Sequence, residues 1–263
     1  MNLSHLNHKF IRVAKLAPIA CLYLAIGTSL ASPLLFSSAA LSQKTRRVVY
    51  KPPSNLDAPK VSVPGITRSA CPVEEGTCLI ALLPDLKVND APAPQTISEH
   101  PTIYFLTPRV NGRVYFRLDE DNGTSSQRKR IYRTSFPINN SAGVVALRLP
   151  ENAPKLEVNK KYSWTLDIED NSMGTRSVHG SMRRIALSDA TMLELAKTTN
   201  PIDRAALLAS SGVWFDSLQT LAQAKIALPA NPQINEEWNA VLKDAQLDRV
   251  LPYSLVVQEK SAY

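Results

Sequence analysis

The sequence predicts an α+β fold in which an antiparallel β-sandwich precedes a small helical unit. Over residues 71–187 apolar residues recur at every second position, and turn-forming residues separate the runs, as is typical of strands with one buried face. From Ser188 the apolar period lengthens to the helical value of about 3.6 residues. About seven short strands over this length are enough for one sandwich core.

The clearest strand lies in the segment Leu156–Ile168, which reads LEVNKKYSWTLDI. Tyr162 and Trp164 occupy apolar positions and polar residues stand between them, so one face is predicted to be buried. A leucine, a polar turn and then Tyr-x-Trp is similar to the tyrosine corner that leads into strand F of immunoglobulin-like sandwiches. We therefore expect an immunoglobulin-like sandwich.

Six further strands are predicted from the same alternation and from the residues that interrupt it. Asn122-Gly123 marks a hairpin turn because both residues tolerate positive φ, and Pro84 and Pro150 end apolar runs. Together with the strand that carries Trp164, the predicted strands cover residues 78–83, 102–106, 114–119, 130–136, 144–149, 162–168 and 177–187.

Four helices are predicted over residues 188–250. Ser188 can cap the first helix, which continues through Lys197. Asn200 before Pro201 starts the second, because the asparagine side chain accepts from backbone N–H groups and the proline presets φ. The third and fourth helices each present one apolar face. These faces carry Trp214, Leu218, Leu221, Ala224, Trp238, Val241, Leu242 and Ala245.

The segment Ala205–Pro229 resembles one tetratricopeptide unit, since small residues, the turn glycine Gly212 and an aromatic residue stand at the expected spacing. Pro201 occupies the place of the first-helix aromatic residue, and no second copy follows. One such unit cannot bury its own apolar face. It must therefore pack on the neighbouring helices, on the sandwich or on a partner.

Three aromatic residues of this tetratricopeptide-like helical unit are candidates for a partner surface, namely Trp214, Phe215 and Trp238. They offer more aromatic area than a unit of about sixty residues readily covers. Aromatic residues also dominate the energetics of interfaces. The alternative, in which all three belong to the core, remains open.

Residues 1–42 are predicted to be a secretory signal peptide. A basic start is followed by an uncharged stretch, Leu16–Ser42, with an apolar centre and small residues near Ala40. Cleavage is expected near Ala40 or Ser42, which places the mature protein in the periplasm or outside the cell without a stable membrane span. An uncleaved anchor is the alternative, because about 25 uncharged residues can cross a bilayer.

Removal of the leader changes the residue counts that matter for function. The leader holds three basic residues and no acid, so the net charge falls from +7 to +4, that is 27 minus 23. This mild charge, without a clustered basic stripe, argues against a nucleic-acid partner. Cys71 and Cys78 remain, and in an oxidising compartment a disulfide between them is predicted. Free thiols, or a metal shared with His100 and His179, are the open alternatives.

Residues 43–70 are predicted to be a disordered linker, because four prolines and a basic group stand there without an apolar period. The basic group, Lys44 with Arg46 and Arg47, either contacts an anionic surface or remains solvated. Residues 251–263 are expected to form a C-terminal tail.

The sequence shows no motif that carries an enzymatic reaction. It has no glycine-rich phosphate loop, no nucleophile elbow and no zinc-protease helix. Two acidic groups, at 119–121 and 167–170, are expected at opposite ends of neighbouring antiparallel strands, too far apart to share a cation. His100 is expected to pack at the sandwich edge, His179 to lie beside Gly180 in a strand, and the basic group 128–133 to flank a hairpin. We therefore assign no catalytic, cofactor-binding or metal-binding residue.

Six groups of residues follow one another in an order that a known family also shows. They are Glu99-His-Pro-Thr102, Tyr132-Arg-Thr-Ser-Phe136, Gly143-Val-Val145 with Leu149-Pro150, Leu156-Glu157 with Tyr162 and Trp164, Arg204-Ala205, and Gly212-x-Trp214-Phe215-Asp216. Together they resemble the cyanobacterial family of exported proteins catalogued as domain of unknown function 928, over residues 71–250. Asn159 stands where glycine is expected in a turn, and asparagine tolerates that left-handed geometry. The resemblance implies an exported protein without an assigned activity and supplies no catalytic residues.

These observations favour an exported, non-enzymatic protein that serves protein interaction or acts as a scaffold in the cell envelope. One alternative is a hydrolase or carbohydrate-active accessory protein for envelope polymers, which would need a cleft with two carboxylates. Another is a periplasmic sensor or ligand-binding module, which would need a deep pocket for a small molecule.

Overall fold

The computed structural model describes residues 46–53, 69–70, 78–84, 93–121, 128–171 and 174–256. They belong to one compact unit, Lys44–Tyr263. The described residues form nine strands, then four helices and one further short strand, and the strands make two sheets. The predicted α+β class, with strands before helices, is therefore confirmed.

The first sheet has five strands in the order β1-β2-β4-β7-β10. Its neighbours are antiparallel, except that β10 runs parallel to β7. The strands are β1 (Ser69–Ala70), β2 (Leu79–Ala81), β4 (Thr102–Thr107), β7 (Gly143–Arg148) and β10 (Leu255–Val256).

The second sheet has the order β3-β9-β8-β5-β6. It is antiparallel apart from β3, which runs parallel to β9, and its β5–β6 pair contains a register shift between Leu118 and Asp119. The strands are β3 (Gln95–Thr96), β5 (Val110–Asp121), β6 (Lys129–Asn140), β8 (Lys161–Asp170) and β9 (Gly174–Arg184).

All seven predicted strands are present, and several extend further than the alternation indicated. The strands β1, β3 and β10 were not predicted, because a strand of two residues cannot display a period. The last of these lies at Leu255–Val256, in the segment expected to be a tail. Its pairing with Val144 and Val145 makes that part of the tail an edge of the first sheet.

The turn before β8 has the local geometry that the sequence predicted. The Tyr162 hydroxyl accepts a hydrogen bond from the N–H of Glu157, five residues upstream, at 2.8 Å. Leu156 is fully buried, and Asn159 has a φ of 66°, the left-handed conformation that asparagine tolerates. The side chain of Tyr162 therefore fixes the path of the chain into β8.

The structure contains the four predicted helices, and the first two begin at the predicted capping residues. They are α1 (Asp189–Lys197), α2 (Pro201–Ser210), α3 (Trp214–Ala227) and α4 (Pro232–Asp244), with a 3-10 turn at Asp248–Val250. The Ser188 side chain accepts from the N–H of Thr191, and the Asn200 side chain accepts from the N–H groups of Ile202 and Asp203. The predicted starts of α1 and α2 are thus confirmed.

Residues 46–53, here called the strap, lie against the helices. Val48 is 1% exposed and belongs to the main hydrophobic core, and the N–H of Lys51 donates to the carbonyl of Ala209 at 3.1 Å. For the strap, the structure therefore differs from the predicted disordered linker. Apolar residues at two alternate positions, 48 and 50, give the strap a face that the core covers. Residues 54–68 of that linker lie outside the described part of the chain.

The core contains a contact between Trp164 on β8 and Gly180 on β9, which are opposite each other in the antiparallel register. A methyl group at Gly180 would lie 2.6 Å from Cζ2 of Trp164 and 2.6 Å from Cδ1 of Leu83. Gly180 thus leaves the space that the buried indole fills.

Replacing Gly180 with alanine should destabilise the protein by about 1–3 kcal/mol, because the added methyl group overpacks this site. The free energy of unfolding in urea measures the effect. The control is Thr175→Ala on an exposed position of the same strand, which should change it by less than about 0.5 kcal/mol. Equal effects of the two substitutions would contradict the overpacking argument.

Candidate functional site

The start of α3 joins the helical unit to both sheets. The indole Nε1 of Trp214 donates to the carbonyl of Leu82, which directly follows β2, at 2.9 Å. One carboxylate oxygen of Asp216 accepts from Thr96 Oγ1 at 2.7 Å and from the N–H of Ile97 at 3.1 Å. We call the contacts of Trp214 and Asp216 the α3 junction. It connects one helix turn to the first sheet through Trp214 and to the second sheet through β3.

The three aromatic residues expected at a partner surface are buried. Trp214, Phe215 and Trp238 are 2–3% exposed and belong to the same hydrophobic core cluster as residues of both sheets. Trp214 contacts Leu82 and Tyr50, which lie outside the helical unit, and Phe215 and Trp238 share one core cluster with residues of both sheets. The partner-surface interpretation therefore does not hold for these side chains, and the alternative of core residues describes them.

The strap is held by carboxylates on three different helices. The N–H of Arg46 donates to Asp203 Oδ1 on α2 at 3.3 Å, and its guanidinium donates to Glu194 Oε1 on α1 at 2.9 Å. The N–H of Val48 donates to Glu237 Oε2 on α4 at 2.8 Å. Glu237 is 7% exposed, so a buried carboxylate is matched to a main-chain donor of the strap.

The strap also packs against the α3 junction. The rings of Tyr50 and Trp214 meet edge to face, with centroids 5.1 Å apart. The turn before α3 comes close to the strap at Gly212, which has a φ of 81°, and a methyl group there would lie 3.4 Å from Cδ of Pro53. Together these contacts and the three carboxylates form what we call the strap groove.

A cavity of about 470 Å³ lies beside the strap. Its described lining is mainly apolar and includes Tyr50, Pro52, Trp214 and Val241, and within that described lining Asp244 is the one acidic residue. The Tyr50 hydroxyl is buried without a hydrogen-bond partner in the described part of the chain. Burial accordingly raises the pKa of Tyr50 well above its usual value.

Asp216 is also perturbed by its surroundings. Loss of hydration on burial is the largest influence and raises the pKa of Asp216, while the hydrogen bonds from Thr96 and Ile97 act in the opposite direction. The carboxylate is used for structure, since its partners are a side chain and a backbone group of the sheet region.

The predicted disulfide is only half within the described residues. Cys78 is described and its Sγ lies 3.8 Å from Nη1 of Arg249, whereas Cys71 lies outside the described part of the chain. In the adjacent β1–β2 pair, Ala70 is opposite Leu79, and these two residues neighbour the cysteines in the sequence. The pairing of Cys71 with Cys78 stays a prediction.

The two histidines are separate from each other in the structure. His100 precedes β4, and its Nε2 lies 3.0 Å from the carbonyl oxygen of Ala153. His179 is on β9, opposite Thr165 on β8. In the described part of the chain, no group of three or more histidine, cysteine, aspartate and glutamate side chains could hold a metal ion.

The charged groups lie at separate places on the second sheet. In the β5–β8 register, Asp121 is opposite Lys161 at one end and Asp170 is opposite Gly112 at the other, so the two acidic groups are apart as predicted. Of the basic group, Arg130 forms an ion pair with Asp119 at 3.5 Å. This contact is consistent with a solvated hairpin flank.

The carboxylates of the strap groove were not found from the sequence. One signal was available, because Glu237 stands three residues after Ile234 and four before Val241, on the buried face of α4. A charged residue at such a position indicates a buried polar partner. Glu194 and Asp203 give no comparable signal, since both lie on more exposed helix positions.

The fold and this site define an α+β protein whose helical unit is joined to two sheets and holds an extended segment. The chain belongs to the family described as Domain of Unknown Function (DUF928), whose model matches residues 63–255. This confirms the family resemblance seen in the sequence motifs. No curated protein matches the chain.

Among solved structures, the chain is similar to part of Astrotactin-2, described as a conserved vertebrate-specific and perforin-like membrane protein involved in neuronal development. The identity is 13%, the TM-score is 0.24, and the match covers 68% of this chain and 40% of that one. The chain thus spans less than half of that structure, and a likeness of this degree carries no argument. Of the described helices, none has both the length and the apolar character to cross a membrane.

The Asp216 carboxyl should make stability depend on pH. Because the folded pKa is raised, folding binds the proton, and the stability from this group is complete below the unfolded pKa of about 3.9. It is lost as the pH rises through the folded pKa. Relative to Asp216→Asn, which does not titrate, the wild-type protein should therefore lose stability as the pH rises from about 4.

Urea unfolding of both proteins at a series of pH values measures this difference. The exposed substitution Asp189→Asn gives the background from loss of one carboxylate. Wild-type and Asp216→Asn stability curves that stay parallel over the whole series would contradict the assignment.

Proposed function

We propose that this chain is an exported, non-enzymatic protein that serves protein interaction or scaffolding in the cell envelope. The observation that supports it most strongly is the strap groove, in which the helical unit holds an extended polypeptide segment. The N–H groups of Arg46, Val48 and Lys51 donate to the helices, as main-chain groups do when a peptide is recognised. We also propose that the protein comes from a cyanobacterium, as the family resemblance implies.

The proposal includes a finer description of the fold. The two sheets are an immunoglobulin-like sandwich, supported by the hydrogen bond of Tyr162 across its turn. The α2–α3 hairpin is a tetratricopeptide-like unit, supported by the turn at Gly212 and by the hydrogen bond from Ser217 Oγ to the carbonyl of Ala205 at 2.8 Å. Both folds commonly serve binding rather than catalysis.

The observations favour interaction over the two alternatives. A hydrolase acting on glycosidic bonds uses a pair of carboxylates, and among the described residues that line the cavity beside the strap one, Asp244, is acidic. A sensor for a small molecule needs an enclosed pocket with several polar groups. That cavity is instead mainly apolar and borders the strap.

Export should leave a mature protein that begins near Leu41 or Gln43, with Cys71 and Cys78 bonded. N-terminal sequencing and non-reducing peptide mapping of the same periplasmic or secreted material check both points. Reduction should lower the free energy of unfolding by about 2–3 kcal/mol, as expected for a small closed loop. Intact Met1 in the membrane fraction would contradict cleavage, and free thiols would contradict the disulfide.

The interaction function predicts that a partner contacts the helical unit of the full exported chain. We would place a benzophenone amino acid at Leu193 or Leu228, exposed apolar positions of the helical region that are 58% and 54% exposed. The control position is Val158, 40% exposed and next to the sheets. Illumination in the native envelope should give one defined protein adduct at a helical position and none at Val158. Absence of adducts, or equal adducts at Val158, would contradict the proposal.

A further inference from the structure

We infer that the strap groove is a peptide-binding site whose own strap occupies it in cis, and that it accepts in trans an extended peptide of the pattern Arg-x-Val-x-Tyr. This inference rests on the proposed interaction function and names the chemistry of the partner. The partner segment carries arginine first, an apolar residue two positions later and an aromatic residue four positions later. The strap itself shows this pattern at Arg46, Val48 and Tyr50.

The acidic side chains of the groove select the charge of the peptide. Glu194 accepts a hydrogen bond from the guanidinium of Arg46, and Asp203 accepts one from the backbone N–H of the same residue. A peptide that placed a carboxylate here would face two acidic side chains at close range. The guanidinium of an arginine pairs with Glu194, while Asp203 accepts from a backbone N–H that any residue except proline supplies.

The middle of the groove selects an extended main chain and a small apolar side chain. The N–H of Val48 meets the buried Glu237, while the Val48 side chain is 1% exposed within the core. Proline at this position would remove the donor, and a charged side chain would be buried next to Glu237. The groove therefore recognises both the backbone N–H and the side chain of the residue at the Val48 position.

The far end selects an aromatic ring. Tyr50 packs edge to face on Trp214, whose own orientation is fixed by its hydrogen bond to Leu82. The aromatic platform is therefore set by the sheets and not by the strap. A peptide that reaches this position meets a surface that is already in place.

The covalent link explains why the strap is the occupant in this structure. Fifteen residues, 54–68, separate Pro53 from Ser69. Because the strap belongs to the same chain as the groove, it binds intramolecularly and competes with any free peptide. A free peptide with the same contacts must overcome this competition, so weakening the strap should expose the site.

The test uses residues 43–263 and a fluorescent peptide with the strap sequence RRVVYKPP, followed by fluorescence anisotropy. Val48→Asp in the protein should release the strap, because an acidic side chain would enter a buried position beside Glu237. This variant should bind the peptide at least about tenfold more tightly than the wild-type protein. The peptide RRDVYKPP, with the same substitution, should not bind.

Two paired variants test the groove itself. Adding Glu237→Ala to Val48→Asp should weaken peptide binding by at least about tenfold, because it removes the acceptor for the central N–H. Adding Glu236→Ala, at an exposed position of the same helix, should leave binding unchanged. Equal losses with both would show that the peptide binds elsewhere and would overturn the inference.

A second route applies if Val48→Asp does not fold, which circular dichroism would show. A protease site placed within residues 54–68 allows the wild-type strap to be cut from the folded protein. The labelled peptide should then exchange into the groove as the cut strap dissociates. If the cut strap remains bound without exchange, or if no peptide binds in either format, the strap is a permanent part of the core. That outcome would leave a partner crosslinked at Leu193 unaffected, so it is distinguishable from failure of the proposed function.

Discussion

The rest of the structure depends on the hydrogen bonds that the first turn of α3 makes with the two sheets. Trp214 reaches the first sheet at Leu82, and Asp216 reaches the segment of the second sheet at Thr96 and Ile97. The Trp214 bond contributes about 0.5–1.5 kcal/mol and bonds to a charged carboxylate about 1.5–3 kcal/mol, and burial of the Asp216 carboxylate opposes part of that gain. Their main effect is therefore geometrical, because they fix where the helices lie relative to the strands.

Once α3 is fixed in this way, the small helical unit no longer has to cover its own aromatic residues. Phe215 and Trp238 are buried in a core that both sheets share. The ring of Trp214 also packs edge to face with Tyr50 of the strap. The repeat-like α2–α3 hairpin is too small to be stable alone. Packed on the sheets, it becomes a stable support for the strap.

The strands and helix starts that local residues determine could be predicted from the sequence. The alternation around Trp164 and the caps at Ser188 and Asn200 were sufficient to predict strands and helix starts, since both signals lie within a few residues. The burial of Trp214 was not predictable in the same way, because its partner Leu82 lies 132 residues away. The strap was missed for the same reason. Its apolar alternation is brief, and the acceptors that order it lie on helices far along the chain.

The position of the strap also couples it to the predicted export step. Arg46 follows the expected cleavage region by only a few residues, so cleavage would leave the strap as the N-terminal end of the mature chain. A retained leader would instead be joined through residues 43–45 to Arg46, which Glu194 and Asp203 hold. Occupancy of the groove by its own strap should therefore differ between a cleaved and an anchored chain, because only the cleaved form leaves the strap free of that attachment.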